Sequence, residues 1–383
     1  MPKLLSIGHA AKGRRRGYFL SERKREQTMT NRELFLNIMQ YHGADCMPIV
    51  HWTGWTETLE RWYGEGLPRD RDIHEVLGTK PHWTGIGANV GLFPQFEEQS
   101  ISETPDSRTF RDANGVVCQS WKRHSNIPHY IDFTLKTPRD WEQHYQWRLQ
   151  PDIKRIPADL DAHVARAVAS GLPITFWTGS LMGWIRDWMG VENLAYFMYD
   201  HRDVFAEMVM TIADLVCWSA DQILPKIKVD MGFGWEDICG RCGPFVSPDI
   251  FRACVAPGYR KIRNKLEQYG VLLYGIDSDG DVAALLKPWL DAGVNVQFPI
   301  EVGVWKADGM AYRKQYGKEL RIIGHFDKMT LEKSHAAVTA EIQRLIPLMQ
   351  DGGYMLMPDH LITPGVALAD YRWYLDQIRT LRF

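Results

Sequence analysis

The sequence has little of what marks secreted, membrane and nucleic-acid-binding proteins. Six cysteines in 383 residues are too few for a disulfide framework and fit a reducing compartment. No apolar run approaches the roughly 20 residues that span a bilayer, and the first residues lack the apolar core of a signal peptide. A formal net charge of −2 offers no basic field to attract a polyanion. We therefore expect a cytoplasmic protein that binds neither membranes nor nucleic acid.

Residues 1–28 differ in composition from the rest of the chain. They hold eight Lys or Arg against two Glu and show little apolar periodicity, which is typical of a disordered basic tail. After Met29, the spacing of Thr30 and Glu33 matches a capping box, and apolar residues then recur at helical spacing. We expect one folded domain over residues 29–383.

Strand-like and helix-like segments alternate through most of this domain. With strands predicted at 47–52 and 82–88, the alternation gives eight strands, which predicts an α/β fold, a single (β/α)8 TIM barrel. A doubly wound sheet is disfavoured because the sequence has no Gly-rich phosphate turn after an early strand. Near residues 85–131, short alternating runs around Asp112-Ala-Asn-Gly115 predict a small antiparallel β insertion.

Polar residues follow nearly every predicted strand. Active sites of such barrels form from the carboxyl ends of the strands, where this sequence places His51, Trp177, Glu236, Asp237, Asp277, Asp279, Asp281, Glu301, His325, Asp327, Asp359 and His360. Any one acid could instead cap the following helix, a reading that applies to Asp237, Asp281 and Asp327 above all. So many ionisable groups at one rim would be costly to desolvate without a cation or an acid/base task. The rim is therefore the candidate active site.

Tryptophans and cysteines complete the set of candidates. The 15 tryptophans could fill the core, or some could wall a pocket for a flat or apolar ligand; Trp52, Trp55 and Trp177 are the candidates for such a wall. His51 could be a core histidine or a substrate contact. A lone C-x-x-C pair, Cys239 and Cys242, favours no metal or redox role without a second pair.

Several ordered motifs resemble those of the uroporphyrinogen decarboxylase superfamily. They extend from Met29 to Arg382 and include Thr30-Asn-Arg-Glu-Leu-Phe, Cys46-Met-Pro-Ile, Glu236-Asp237, Gly243-Pro-Phe-Val-Ser-Pro-Asp249, Gly324-His-Phe-Asp327-Lys and Pro358-Asp-His360. The resemblance implies a single (β/α)8 barrel, and it suggests a homodimer. The superfamily contains cofactor-free decarboxylases of porphyrinogens, and zinc-dependent methyltransferases that move a methyl group between a methylated corrinoid and a thiol.

Two motifs separate these branches. The decarboxylases carry Arg-Gln-Ala-Gly-Arg after the first strand, whose arginines hold substrate carboxylates, whereas residues 51–57 here contain no arginine. The methyltransferases carry His-x-Cys-Gly after the fifth strand and a late Cys. In this chain those positions fall on Asp277, Asp279 and a residue close to His360. The resemblance thus argues against a true uroporphyrinogen decarboxylase. Asp277, Asp279 and His360 could hold a divalent metal with two carboxylates and one imidazole, or the acids could instead hydrogen-bond a polar substrate or neighbouring residues directly.

We therefore predict a metal-dependent, corrinoid-linked methyltransferase that acts on a small molecule. Zinc is the expected metal, with Mn2+ and Fe2+ compatible, and a methylated corrinoid on a partner protein is the expected methyl carrier. The predicted catalytic residues are Glu236, His325 and Glu301, and the predicted substrate contacts are His51, Trp52, Trp55 and Trp177. The alternatives are a metal-free decarboxylase or lyase acting on a carboxylated substrate, and a non-catalytic barrel that binds a small molecule.

Overall fold

The computed structural model describes residues 29–122 and 128–383. The tail predicted for residues 1–28 lies outside the described residues. The strands are β1 (Thr84–Ile86), β2 (Gln99–Glu103), β3 (Ser107–Arg111), β4 (Val116–Trp121), β5 (His129–Phe133), β6 (Ile174–Trp177), β7 (Met231–Trp235), β8 (Cys239–Gly240), β9 (Gly243–Pro244), β10 (Leu273–Asp277), β11 (Val296–Phe298), β12 (Arg321–Phe326) and β13 (Tyr354–Pro358).

Helices alternate with these strands through most of the chain. They are α1 (Asn31–Met39), α2 (Thr56–Gly64), α3 (Ile73–Leu77), α4 (Pro138–Asp140), α5 (Leu160–Ala169), α6 (Gly183–Met189), α7 (Val191–Asp200), α8 (Arg202–Ile223), α9 (Pro248–Ile250), α10 (Ala256–Gln268), α11 (Ala283–Asp291), α12 (Gly309–Tyr316), α13 (His335–Asp351) and α14 (Leu368–Thr380). Within the described parts of the chain, no helix combines the length and the hydrophobicity needed to cross a bilayer.

The main sheet has seven parallel strands in the order β1-β6-β7-β10-β11-β12-β13. Eight strands were predicted, and the missing one is the segment at 47–52. There the chain makes isolated parallel bridges instead, from Val50 to Lys80 and from Gly54 to Ile362. Pro48 in this segment has no backbone N–H to donate to a ladder. The segment therefore contacts the chain before β1 and the chain after β13 without forming a continuous strand.

The concave side of the sheet encloses a separate apolar cluster. It is formed by Met231, Phe233, Leu273, Val296, Phe298, Ile323, Met355 and Met357 from the strands, by Val50 from the bridged segment, and by Phe35 and Met39 from α1. Helix α1 lies at the amino ends of the strands, where Ile38 O accepts from Gly353 N at 2.7 Å and Met39 O accepts from Arg321 Nε at 2.7 Å. Helix α1 thus closes the end of the sheet opposite the candidate site.

The predicted antiparallel insertion is present as the four-stranded sheet β2-β3-β4-β5. At the turn between β3 and β4, Asp112 Oδ1 accepts from the N–H groups of Asn114 and Val116, both at 2.9 Å. Gly115 in this turn has a φ of 82°, which glycine adopts without steric cost. The Asp-Ala-Asn-Gly signal therefore identified a real hairpin.

Candidate active site

Three aspartates meet where β7 and β10 end. Asp277 pairs in register with Trp235 on one side and with Phe298 on the other, so it faces the concave side of the sheet like Phe298. One carboxylate oxygen each of Asp237, Asp277 and Asp279 lies within 4.8 Å of the others. We call these three residues the carboxylate cluster. Asp237, predicted above as more typical of a helix cap, therefore belongs with the two predicted ligands.

Backbone geometry holds the carboxylate cluster in place. Asp237 has a φ of 47°, and its Oδ1 accepts from Asp279 N at 3.0 Å. Gly280 has a φ of 87°, and a Cβ there would lie 2.5 Å from Cys239 O, so the loop requires glycine. Glu301 Oε2 accepts from Gly280 N at 2.8 Å. The predicted residue Glu301 thus fixes the loop that carries Asp279.

The electrostatics of the cluster favour binding of a cation. Burial, followed by the charge of Asp279, raises the pKa of Asp237 to about 6. Burial, followed by the charges of the neighbouring acids, raises the pKa of Asp277 well above its usual range. Among the described residues, no hydrogen-bond donor contacts the Asp277 carboxylate. Carboxylates this close repel one another unless they share a proton or a cation.

His360 lies beside the carboxylate cluster. Its Nε2 is 3.1 Å from Asp279 Oδ2, and although burial opposes the charged form, the hydrogen bond and charge of Asp279 raise the pKa of His360. The ring centroids of Trp52 and Trp55 lie 5.8 and 5.9 Å from the imidazole. The structure therefore places His360, Trp52 and Trp55 together next to Asp279.

Lys328, which is not among the site residues predicted from sequence, also lies in this region. Its Nζ lies 3.4 Å from Glu301 Oε1 and 3.6 Å from Asp359 Oδ1. Asp359 also accepts from the backbone N–H of Val302 at 2.8 Å. The sequence motif Gly324-His-Phe-Asp327-Lys ends at this residue and could have identified Lys328 as a candidate. Lys328 supplies positive charge to the acids that surround the carboxylate cluster.

Glu236, predicted to be catalytic, has its carboxylate bound by groups at the start of α6 and by a tyrosine. Its buried carboxylate accepts from the backbone N–H groups of residues 181–183 at 2.7, 2.9 and 2.7 Å. It also accepts from Ser180 Oγ at 3.2 Å and from the hydroxyl of Tyr259. These contacts cap the amino end of α6. The backbone N–H of Glu236 donates to Asp277 O at 2.8 Å, but among the described residues the Glu236 carboxylate makes no hydrogen bond to the carboxylate cluster.

His325 and His51 also contact residues outside the carboxylate cluster. Gly324 and His325 have successive φ values of 95° and 62°, which break the alternation of the strand. His325 Nε2 accepts from Gly309 N at 2.9 Å, and its Nδ1 lies 3.1 Å from Ile300 O. His51 Nδ1 lies 2.8 Å from the Tyr371 hydroxyl. These contacts do not support the predicted catalytic role of His325 or the predicted contact of His51 with substrate.

Burial of His325 predicts a pH dependence of stability. Burial, with the charge of Arg344 adding to it, lowers the pKa of His325 from 6.5 to about 4. Between these values the unfolded chain binds a proton that the folded chain does not, so stability falls as the pH falls from 6.5 towards 4. We expect this histidine to lower the free energy of unfolding by about 1.4 kcal/mol between pH 7.5 and pH 5.5.

Urea unfolding of the wild type and of His325→Gln at both pH values measures this contribution. The variant should lose less stability than the wild type on acidification, whatever its stability at pH 7.5. An equal loss in the two proteins would show that His325 is not a buried neutral imidazole.

Trp177 lies in a different place from Trp52 and Trp55. It stands at the end of β6, where it lines a cavity of about 390 Å³ together with Trp83 and Phe233. Its indole also contacts Trp184, with ring centroids 6.5 Å apart. The four predicted substrate contacts therefore lie in three places. Trp52 and Trp55 lie beside His360, Trp177 lines the cavity, and His51 is buried elsewhere.

Comparison with known proteins identifies the family of this chain. The family model for uroporphyrinogen decarboxylase (URO-D) matches residues 136–381, and no curated protein matches the chain. A methyltransferase from Methanosarcina mazei has a TM-score of 0.59 at 14% identity, covering 92% of this chain and 98% of its own. A B12-independent methionine synthase from Shewanella sp. W3-18-1 has a TM-score of 0.41 at 12% identity, covering 61% and 67%. The family match extends over more than half of the chain, which therefore belongs to the uroporphyrinogen decarboxylase family.

Proposed function

We propose that this protein is a methyltransferase that acts on a small molecule and uses a divalent cation bound by Asp237, Asp277 and Asp279. The methyl carrier would be a methylated corrinoid on a partner protein. The observation that carries the proposal is the convergence of three carboxylates within 4.8 Å. The fold shared with the methyltransferase from Methanosarcina mazei supports this activity. The proposal includes a closed (β/α)8 barrel over residues 29–383, completed by the bridged segment near Val50.

The proposed ligand set differs from the one predicted from sequence. Asp237 replaces His360, which instead orients Asp279 through their hydrogen bond of 3.1 Å, as partners of metal ligands commonly do. Burial raises the pKa of the nearby Cys239 thiol to about 12, which disfavours a thiolate ligand. Three carboxylates fit a hard cation such as Mn2+, Fe2+ or Mg2+ better than a thiolate-rich zinc centre.

The residues around the carboxylate cluster would support methyl transfer. A bound cation supplies Lewis acidity to the heteroatom that gains or loses the methyl group. His360, whose pKa is raised by Asp279, can hold a proton at Nε2 beside the reacting group. Trp52 and Trp55 shield this imidazole from water. Lys328 offsets the charge of Glu301, which limits repulsion among the acids.

Calorimetric titration tests the cation site directly. Protein stripped with EDTA and titrated with Mn2+, Mg2+ and Zn2+ should bind one equivalent of cation. Because the donors are carboxylates, Mn2+ should compete with Zn2+ better than it does at a thiolate-containing site. Failure of the wild type to bind any of the three cations would overturn the proposal.

A metal-free decarboxylase or lyase is the second candidate. The observation that favours it is the presence of two groups suited to proton transfer near neutral pH: Asp237, with a pKa of about 6, and His360, with a raised pKa. Its substrate would not be uroporphyrinogen, since residues 51–57 contain no arginine to hold the carboxylates. Carbon dioxide release that is insensitive to chelators would identify this activity.

A further inference from the structure

The cavity beside Trp177 lies on the concave side of the sheet at β1, β6 and β7. Its volume is about 390 Å³. Gly85 pairs in register with Thr175, and Trp177 pairs with Phe233. Gly85 lines the cavity and is exposed, because the strand carries no side chain at that position. The volume suits a small organic ligand.

Aromatic rings connect this cavity with the carboxylate cluster. The Trp83 ring centroid lies 4.6 Å from that of Phe233 and 5.5 Å from that of Phe298. Phe298 is in turn the register partner of Asp277. On β10, a Cβ at Gly275 would lie 3.0 Å from the Phe233 ring, so glycine there leaves room for that ring. An aromatic surface therefore extends from the cavity to the first acid of the cluster.

The lining of the cavity selects for an uncharged ligand. Among the described residues that line it there is no Asp, Glu, Lys or Arg. The hydroxyl of Thr175 is a polar side-chain group on the wall, and its contact with Thr84 O is long, at 3.5 Å. A carboxylate would lose its hydration here without gaining an ionic partner, and an ammonium group would gain only the faces of the indole and phenyl rings. Indole and phenyl walls instead favour a flat ring that stacks or makes edge contacts.

We propose that this cavity binds an uncharged, single-ring aromatic group, and that this group is the body of the small molecule acted on at the carboxylate cluster. The second part rests on the proposed function. The first part depends only on the shape and chemistry of the cavity.

Gly85→Leu provides a direct test. A Cβ at this position meets only Thr175 Oγ1, at 3.7 Å, and the backbone lies outside the left-handed region, so leucine can fill the cavity without backbone strain. The probe is benzyl alcohol, and its binding is followed by ligand-observed NMR. We expect the wild type to bind benzyl alcohol about five times more tightly than cyclohexylmethanol, and Gly85→Leu to weaken benzyl alcohol binding at least about tenfold.

Gly64→Leu is the matched control, since Gly64 ends α2 and a Cβ there has nothing within 4 Å; it should bind benzyl alcohol like the wild type. Benzoate and benzyltrimethylammonium test the requirement for neutrality, and both should bind more weakly than benzyl alcohol. Equal binding by Gly85→Leu and wild type, or tighter binding of either charged probe, would overturn the proposal.

The cation titration is independent of this measurement. A protein that binds cation but not benzyl alcohol would sink the ring proposal and leave the proposed function standing. A protein that binds benzyl alcohol at this cavity but no cation would retain the aromatic site and sink the metal-dependent function.

Discussion

Replacement of Asp279 by asparagine is expected to weaken cation binding about a hundredfold and, if the proposed function holds, to reduce methyl transfer correspondingly. Asp279 is the member of the carboxylate cluster that also contacts His360, at 3.1 Å. Asparagine keeps the shape of the side chain but removes its negative charge, so the cation loses an anionic ligand and the imidazole loses a charged acceptor. Calorimetry and metal analysis of the purified variant measure the first effect.

Asp281→Asn is the matched control. Asp281 lies in the same loop, but its Oδ1 accepts from Ala283 N at 3.2 Å at the start of α11, outside the carboxylate cluster. This variant should bind cation as the wild type does. Equal affinity of wild type and Asp279→Asn would exclude Asp279 as a ligand, whereas an equal loss in both variants would point to a general effect of loop charge.

Replacement of Glu236 by alanine is expected to lower the free energy of unfolding by about 3–5 kcal/mol, since each orphaned buried donor costs about 1–3 kcal/mol. The substitution leaves three N–H groups at the amino end of α6 without their acceptor and leaves the buried hydroxyl of Tyr259 without its partner. Orphaned buried donors are costly because the folded chain offers them no water. Urea unfolding at pH 7.5 measures the change.

Glu192→Ala is the control for this second variant. Glu192 is an exposed acid in the first turn of the next helix, α7, and its loss should cost less than about 1 kcal/mol. A Glu236→Ala protein that is as stable as the wild type but inactive would restore the catalytic role predicted from sequence.

The position of the candidate site followed from strand counting, but the direction of each side chain did not. Asp277 could be predicted because it ends a strand whose inward positions alternate. Glu236 directly follows β7 and His325 lies near the end of β12, yet the side chain of each turns away from the carboxylate cluster. For His325 the cause is two successive residues with positive φ, a conformation that a non-glycine residue adopts only where the surrounding structure enforces it.

Asp237 shows the opposite error: it was predicted to be a helix cap, but its side chain turns towards the carboxylate cluster. An acid just after a strand is most often a helix cap, and its sequence context fits that reading. Its φ of 47° instead brings its Oδ1 within 3.0 Å of Asp279 N, a contact between residues 42 positions apart. The strand predicted at 47–52 was wrong for a related reason: the chain there makes only isolated bridges to Lys80 and Ile362, distant partners that local periodicity does not reveal.

Under the proposed function, closure of one end of the sheet by α1 would constrain the order in which the reactants bind. Phe35 and Met39 fill the space between the amino ends of the strands, so within the described part of the chain the aspartates are approached from the carboxyl ends. A small molecule seated near Trp83 and a bulky methyl carrier arriving at Asp279 would share that side. The carrier would cover the small molecule while docked, which favours a sequence in which the small molecule enters first and leaves last.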